Sequence, residues 1–252
     1  MSTVAVHHWN ASDGIRLAWH EVGEGAPVVL LHGLFSSAEM NWIKFGHAER
    51  IAARGFRVIM PDLRGHGSSA APHEPQAFPK NILVHDLTDL IAHLGLSEFD
   101  LCGFSLGSRT VIEAVIGGVH SRRAVLCGTG LDVLTNWQRR SAFFLQAIEL
   151  FDHVSRGDPH WLAIQFMKTM KVDRVAAAHL LRTMDDHEDS ARLKAAFTMP
   201  CLVVCGAEDE DNGSAPALAE LIGARYAETP GTHMTSVTKP ELGAAIATFL
   251  AE

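Results

Sequence analysis

The segment Gly103-Phe104-Ser105-Leu106-Gly107 sets a hydroxyl between two glycines directly after the apolar run Phe99-Asp100-Leu101-Cys102. A serine framed this way fits a sharp strand-to-helix turn. Each glycine there lets backbone approach backbone, and the side-chain oxygen stands clear to attack a carbonyl carbon. Such a hydroxyl needs a base to take its proton and a carboxylate to orient the base. Two later loops carry those groups. Gly206-Ala207-Glu208-Asp209 closes the apolar run Cys201–Cys205, and Pro230-Gly231-Thr232-His233-Met234 follows, with His233 standing 24 residues beyond Asp209. Both loops leave strand ends on the edge where Ser105 lies. Glu208, Glu210 and Asp211 crowd Asp209, and Asp132 follows the preceding strand, so these residues alone leave the choice of carboxylate open.

The elements that must hold these groups alternate along the chain. Val4–Trp9 and Ile15–Val22, separated by Asn10-Ala11-Ser12-Asp13-Gly14, predict an opening hairpin. Strands are then expected at Pro27–Leu31, Phe56–Met60, Phe99–Cys102, Ala124–Cys127, Cys201–Cys205 and Arg225–Glu228. Helices are expected at Ala38–Arg54, Ile82–Leu94, Leu106–Val119 and Lys239–Ala251. The alternation predicts an α/β fold, a mostly parallel central sheet with helices on both faces, whose sites form beyond the carboxyl ends of the strands. From Leu131 to Thr198 only helical periods occur, with Trp137, Phe144, Ile148 and Phe151 making one stripe and Leu162, Phe166 and Met170 another. The expected organisation is therefore a core of residues 1–130 and 199–252 carrying an inserted helical cap at 131–198.

Composition bounds the rest. A chain of 252 residues, 47% hydrophobic, buries a large core as one unit. The net charge of −8, with no basic cluster beyond Arg122-Arg123 and Arg139-Arg140, gives no electrostatic footprint for nucleic acid. The first residues, Met1 to His8, show no basic stretch leading into an apolar one, and nowhere do about 18 apolar residues run together. A soluble, cytoplasmic protein without a membrane segment is the expectation. The four cysteines sit in strand-like apolar segments, where small buried thiols are expected. The fifteen histidines show no metal-ligand spacing, so no metal is expected, and attack by a serine hydroxyl on a carbonyl calls for no organic cofactor.

Leu30-Leu31-His32-Gly33-Leu34, Pro61-Asp62-Leu63-Arg64-Gly65-His66-Gly67-Ser68, the serine segment and the His233 loop together resemble the alpha/beta-hydrolase superfamily over nearly the whole chain. The resemblance implies Ser105 as nucleophile, Asp209 as acid and His233 as base, with the backbone amides of Leu34 and Leu106 forming the oxyanion hole. The chain departs from the pattern in having Gly-Thr-His where Gly-His is frequent and Ser108 where a second glycine is frequent. The expected substrate is a small-molecule ester or lactone. His32, Gly33 and Phe104 would contact it from the core, with His32 and His66 also expected to hydrogen-bond the loops that shape the site, and Trp137, Phe143 and Trp161 would wall it from the cap. Members that cleave carbon–carbon bonds, or that make peracids without a cofactor, share the same triad, and a ligand sensor retaining it is a further alternative. Oligomeric state is not readable from this sequence.

Overall fold

The computed structural model describes residues 4–186 and 190–252. Met1–Thr3, and residues 187–189 of the expected cap, lie outside the described residues. The central sheet has eight strands in the order β1-β2-β4-β3-β5-β6-β7-β8: β1 (Ala5–Asn10), β2 (Arg16–Val22), β3 (Ala26–Leu31), β4 (Phe56–Asp62), β5 (Asp100–Phe104), β6 (Ala124–Cys127), β7 (Cys201–Gly206) and β8 (Arg225–Thr229). β1 and β2 form the antiparallel hairpin and β2 pairs antiparallel with β4, while every pairing from β4 through β8 is parallel.

The parallel strands inside the sheet are apolar on both faces, the edge strand β8 being mostly exposed, and the period of two divides the inner ones cleanly. Val29, Leu31, Leu101, Leu126 and Val203 pack into one buried cluster, and Val28, Leu30, Cys102, Val125 and Val204 into another on the opposite face. The first face is covered by α2 (Ile82–His93) and α3 (Leu106–Ile116), together with α9 (Ala215–Ile222). The second is covered by α1 (His47–Ala52) and α11 (Pro240–Leu250), the latter crossing close to α1 where a Gly243 side chain would collide with His47.

The segment expected as one helix from Ala38 to Arg54 is divided. A π-helical turn at Glu39–Ile43 precedes α1, and Gly46 between them adopts a left-handed backbone, φ +74°, which ends one helical run and starts the next. Between β6 and β7 lie five helices and no strand among the described residues: α4 (Leu131–Thr135), α5 (Trp137–Glu149), α6 (Trp161–Met170), α7 (Arg174–Arg182) and α8 (Ser190–Ala196). They enclose a cluster of their own, with Ala147, Ile164, Met167, Ala177 and Leu181 gathered round Phe35. Phe35 comes from the loop after β3 and ties these helices to the sheet end where that loop sits.

Candidate active site

Ser105 stands between β5 and α3 with φ +53° and ψ −110°, a conformation that costs a non-glycine residue roughly 1–3 kcal/mol and persists only where surroundings enforce it. The enforcing contacts are visible. A side chain at Gly103 would be driven into the Gly107 backbone, and one at Gly107 into the Leu31 carbonyl, so both glycines are required for the turn to close against β3. The Ser105 amide donates to Cys127 O at 2.8 Å. Ser108, where a glycine is frequent, fastens the turn instead: its Oγ lies 2.7 Å from Gly103 O and accepts the Cys127 N–H at 2.9 Å.

His233 opens the short helix α10 (His233–Ser236), whose start is fixed by reciprocal hydrogen bonds between Thr232 and Thr235. Its Nε2 lies 3.1 Å from Ser105 Oγ, its Nδ1 lies 2.9 Å from Asp209 Oδ2, and its ring stands over that of Phe104 with centroids 5.2 Å apart. Of the five carboxylates left open by the sequence, Asp209 alone is buried and bonded to the imidazole; Glu208, Glu210, Asp211 and Asp132 are exposed. Burial by itself would raise the Asp209 pKa. Hydrogen bonds from His233, Asn212 and Cys205 outweigh it and hold the carboxyl below its ordinary value. An ionised Asp209 fixes the imidazole proton on Nδ1 and leaves Nε2 free to accept from the serine. Asn212 carries no recognisable motif and was not singled out by the sequence. Its Nδ2 sits 3.0 Å from each Asp209 oxygen, and the residue is buried.

The loop after β3 is held by a buried polar network. His32 is fully buried; its Nε2 accepts the Leu63 N–H at 2.9 Å and its Nδ1 donates to Gly33 O at 2.8 Å. His66 Nε2 accepts the Phe35 N–H at 3.1 Å, and Nδ1 donates to Arg64 O. Asp62 receives the amides of Ala38 and Ser68 and a bond from His20. Burial, then the neighbouring His66, pushes the His32 pKa down to about 3, and burial lowers that of His66, so both imidazoles stay neutral acceptors for these amides. Phe35 takes a left-handed backbone, φ +58°, within this loop. The amides of Leu34 and Leu106 have no protein acceptor among the described residues; Leu106 heads α3, where an N–H has no intrahelical partner.

Ser105 and His233 open onto a cavity of about 220 Å³ whose walls include Gly33, Leu34, Met40, Phe104 and Phe166. Of the residues expected to contact substrate, Gly33 and Phe104 therefore line this cavity. His32 does not line it: it lies behind the loop and bonds it, as the alternative expectation for this residue had it. Nor do the three cap aromatics expected there. Trp137 is buried beneath the Arg109 guanidinium, 5.0 Å from its ring, because α5 turns that face toward α3. Phe143 stacks on His160 and borders a separate cavity of about 720 Å³ with Arg139, Arg140, Glu210 and Asp211. Trp161 is half-buried at the start of α6, and one and a half turns farther along that helix it is Phe166 that reaches the Ser105 cavity. All four cysteines are buried free thiols. Among the described residues no group of His, Cys, Asp and Glu is placed to hold a metal ion, and no helix is long and apolar enough to cross a membrane.

Residues 26–162 match the family described as alpha/beta hydrolase fold. Similar proteins include the soluble epoxide hydrolase of Corynebacterium sp. (strain C12), 36% identical over 107 residues that make up 42% of this chain and 35% of that protein. The chain thus aligns with about a third of the length of this curated relative. Among solved structures, the enol-lactonase from Burkholderia xenovorans LB400 is similar with a TM-score of 0.74 and 21% identity, covering 98% of this chain and 100% of that one. A thermophilic esterase from Thermogutta terrifontis is similar at 0.71 and 25% identity, covering 98% of each.

Proposed function

This chain belongs to the alpha/beta hydrolase fold family, and within it we propose that the protein is a serine hydrolase that cleaves small apolar carboxylic esters or lactones through an acyl-enzyme. The observation that carries this reading is the continuous hydrogen-bonded line from Ser105 Oγ through His233 to Asp209, at the wall of an apolar cavity bordered by Leu34.

In the proposed reaction His233 Nε2 takes the Ser105 proton as Oγ attacks the carbonyl carbon. Asp209 stabilises the imidazolium that results, and the acceptor-less amides of Leu34 and Leu106 receive the charge developing on the carbonyl oxygen. The imidazolium then protonates the departing alkoxide, or the alkoxide end of an opened lactone. Water, deprotonated by the same nitrogen, attacks the serine ester, and collapse frees the acid and returns the proton to Oγ. Ser105, His233 and Asp209 are thus assigned as nucleophile, base and acid. The helices at 131–198 act as a cap whose Phe166 closes the apolar wall.

Chemistry argues against carrying over the activity named for the epoxide-hydrolase relatives. A serine oxygen that opened an epoxide would be left as an ether, which activated water does not cleave; a carbonyl leaves an ester, which it does. The cavity, smaller than the roughly 300–1,000 Å³ usual for drug-sized ligands, suits a short acyl group. The test is steady turnover of a short-chain aryl ester by the wild type beside Ser105→Ala. The reading requires many turnovers per enzyme in the first and none above background in the second. Tight binding without turnover would replace it with a ligand sensor.

A further inference from the structure

Asn41 is buried, 2% exposed, on the π-helical turn between β3 and α1, and it lines the Ser105 cavity. Its amide has a fixed orientation. The Gly33 N–H donates to Oδ1 at 3.1 Å, so the oxygen faces the β3 loop and the NH₂ group faces away from it. No acceptor for Nδ2 is present among the described residues, although the side chain is almost wholly withdrawn from solvent. Ser36 is a second polar wall of the same cavity, buried, and its hydroxyl has no hydrogen-bond partner among the described residues. Thr238, also on the wall, differs: its hydroxyl is spent on Thr235 O. Around these groups the walls are Met40, Phe45, Phe104, Phe166 and Val237. The Asn41 amide and the Ser36 hydroxyl are both open to the cavity and free to donate to an oxygen that its occupant brings.

We propose that Asn41 Nδ2, seconded by the Ser36 hydroxyl, is a hydrogen-bond donor site that selects acyl groups carrying an acceptor oxygen along the chain, an ether or keto oxygen, over all-carbon chains of the same length. This deepens the serine-hydrolase reading and rests on it. The π-turn is the device that makes the site: its wider i-to-i+5 bond, Lys44 N–H to Glu39 O at 2.8 Å, accommodates the extra residue that carries Met40 and Asn41 to the cavity wall. Recognition by a neutral hydrogen bond in a dry pocket is worth about tenfold in specificity.

The test compares aryl esters of pentanoate with its 3-oxa, 4-oxa and 4-oxo analogues, each kcat/KM divided by that ester's rate with hydroxide to remove intrinsic reactivity. The wild type is expected to favour at least one oxygen-bearing chain about tenfold or more. Asn41→Asp keeps the oxygen that accepts from Gly33 and replaces the NH₂ donor, so the preference should collapse in that variant. A wild type indifferent to every oxygen position, or a preference that survives Asn41→Asp, overturns the proposal. Binding is read separately in Ser105→Ala, which does not depend on turnover: the Asn41 side-chain NH₂ resonance should shift with the favoured oxygen-bearing ester and stay in place with the pentanoate ester. If no ester is hydrolysed, the serine-hydrolase reading falls. An Asn41 resonance equally unmoved by both esters overturns the donor site, whatever the turnover shows.

Discussion

Acid should loosen this protein through three buried histidines, His32, His66 and His47. His32 has its pKa pushed down to about 3 by burial and by the neighbouring His66, against an ordinary value of 6.5. A histidine depressed on folding remains neutral in the native state while the unfolded chain takes up its proton, so stability is fully present above pH 6.5 and falls as pH drops from there toward 3. At pH 5 the loss from His32 amounts to about 2 kcal/mol, from ~1.4 kcal/mol per pH unit over one and a half units. His66 and His47, also lowered, act in the same direction. Asp86, raised to about 6 chiefly by burial, acts in the opposite one, since its folded form binds a proton before the unfolded form does. The informative measurement is therefore a difference. Urea unfolding of wild type and His32→Gln at half-unit intervals from pH 7.5 to 5 should give parallel curves above pH 6.5 and, below it, a slope that becomes flatter by about 1.4 kcal/mol per pH unit in the variant, whose amide still supplies one donor and one acceptor. Parallel slopes between pH 6.5 and 5 would refute the assignment of His32 as a neutral strut. Should the variant fail to fold, the His32 ring resonances of the wild type decide the point, since they are predicted not to titrate between pH 7 and 5.

The other expectations concern the turn and the triad. Gly107→Ala forces a methyl into the Leu31 carbonyl and should cost ~3 kcal/mol or more, read by thermal unfolding; a variant as stable as wild type would contradict the packing described. Asp209→Asn, which loses control of the imidazole tautomer, should lower kcat by ~10⁴, and His233→Ala by at least as much, with circular dichroism unchanged. Asn212→Ala removes the donor that holds both Asp209 oxygens and should lower kcat about tenfold or more while leaving KM nearly unchanged. A change in KM alone would mean that Asn212 acts on binding and not through Asp209.

The sheet was legible because its strands are short apolar runs cut by glycine and polar clusters, and because parallel strands buried on both faces need no alternation to be recognised. The segment from Ala38 to Arg54 was less so. Its periodicity is helical throughout, and nothing in its composition says that Gly46 takes a positive φ or that the preceding turn widens to a π-helix. At the site, the serine, the histidine and the carboxylate-rich loop stood out by type and spacing, whereas choosing among five acids needed burial, which only the fold supplies. Asn41 and Asn212 carry no spacing signal at all, since an asparagine in a loop or turn is ordinarily just a turn residue. Trp137, Phe143 and Trp161 show the converse: an aromatic residue on a helix says that a large side chain needs cover and not which neighbour supplies it. Here Trp137 meets Arg109 and Phe143 meets His160.

The central claim is that Ser105 Oγ is made nucleophilic by His233, and a fluorophosphonate probe tests it without knowledge of the substrate. Intact-mass and peptide analysis after brief exposure should find one adduct, on the peptide containing Ser105, absent in Ser105→Ala and formed far more slowly in His233→Ala. A folded wild-type protein that stays unmodified, or one labelled equally well in Ser105→Ala, would contradict it.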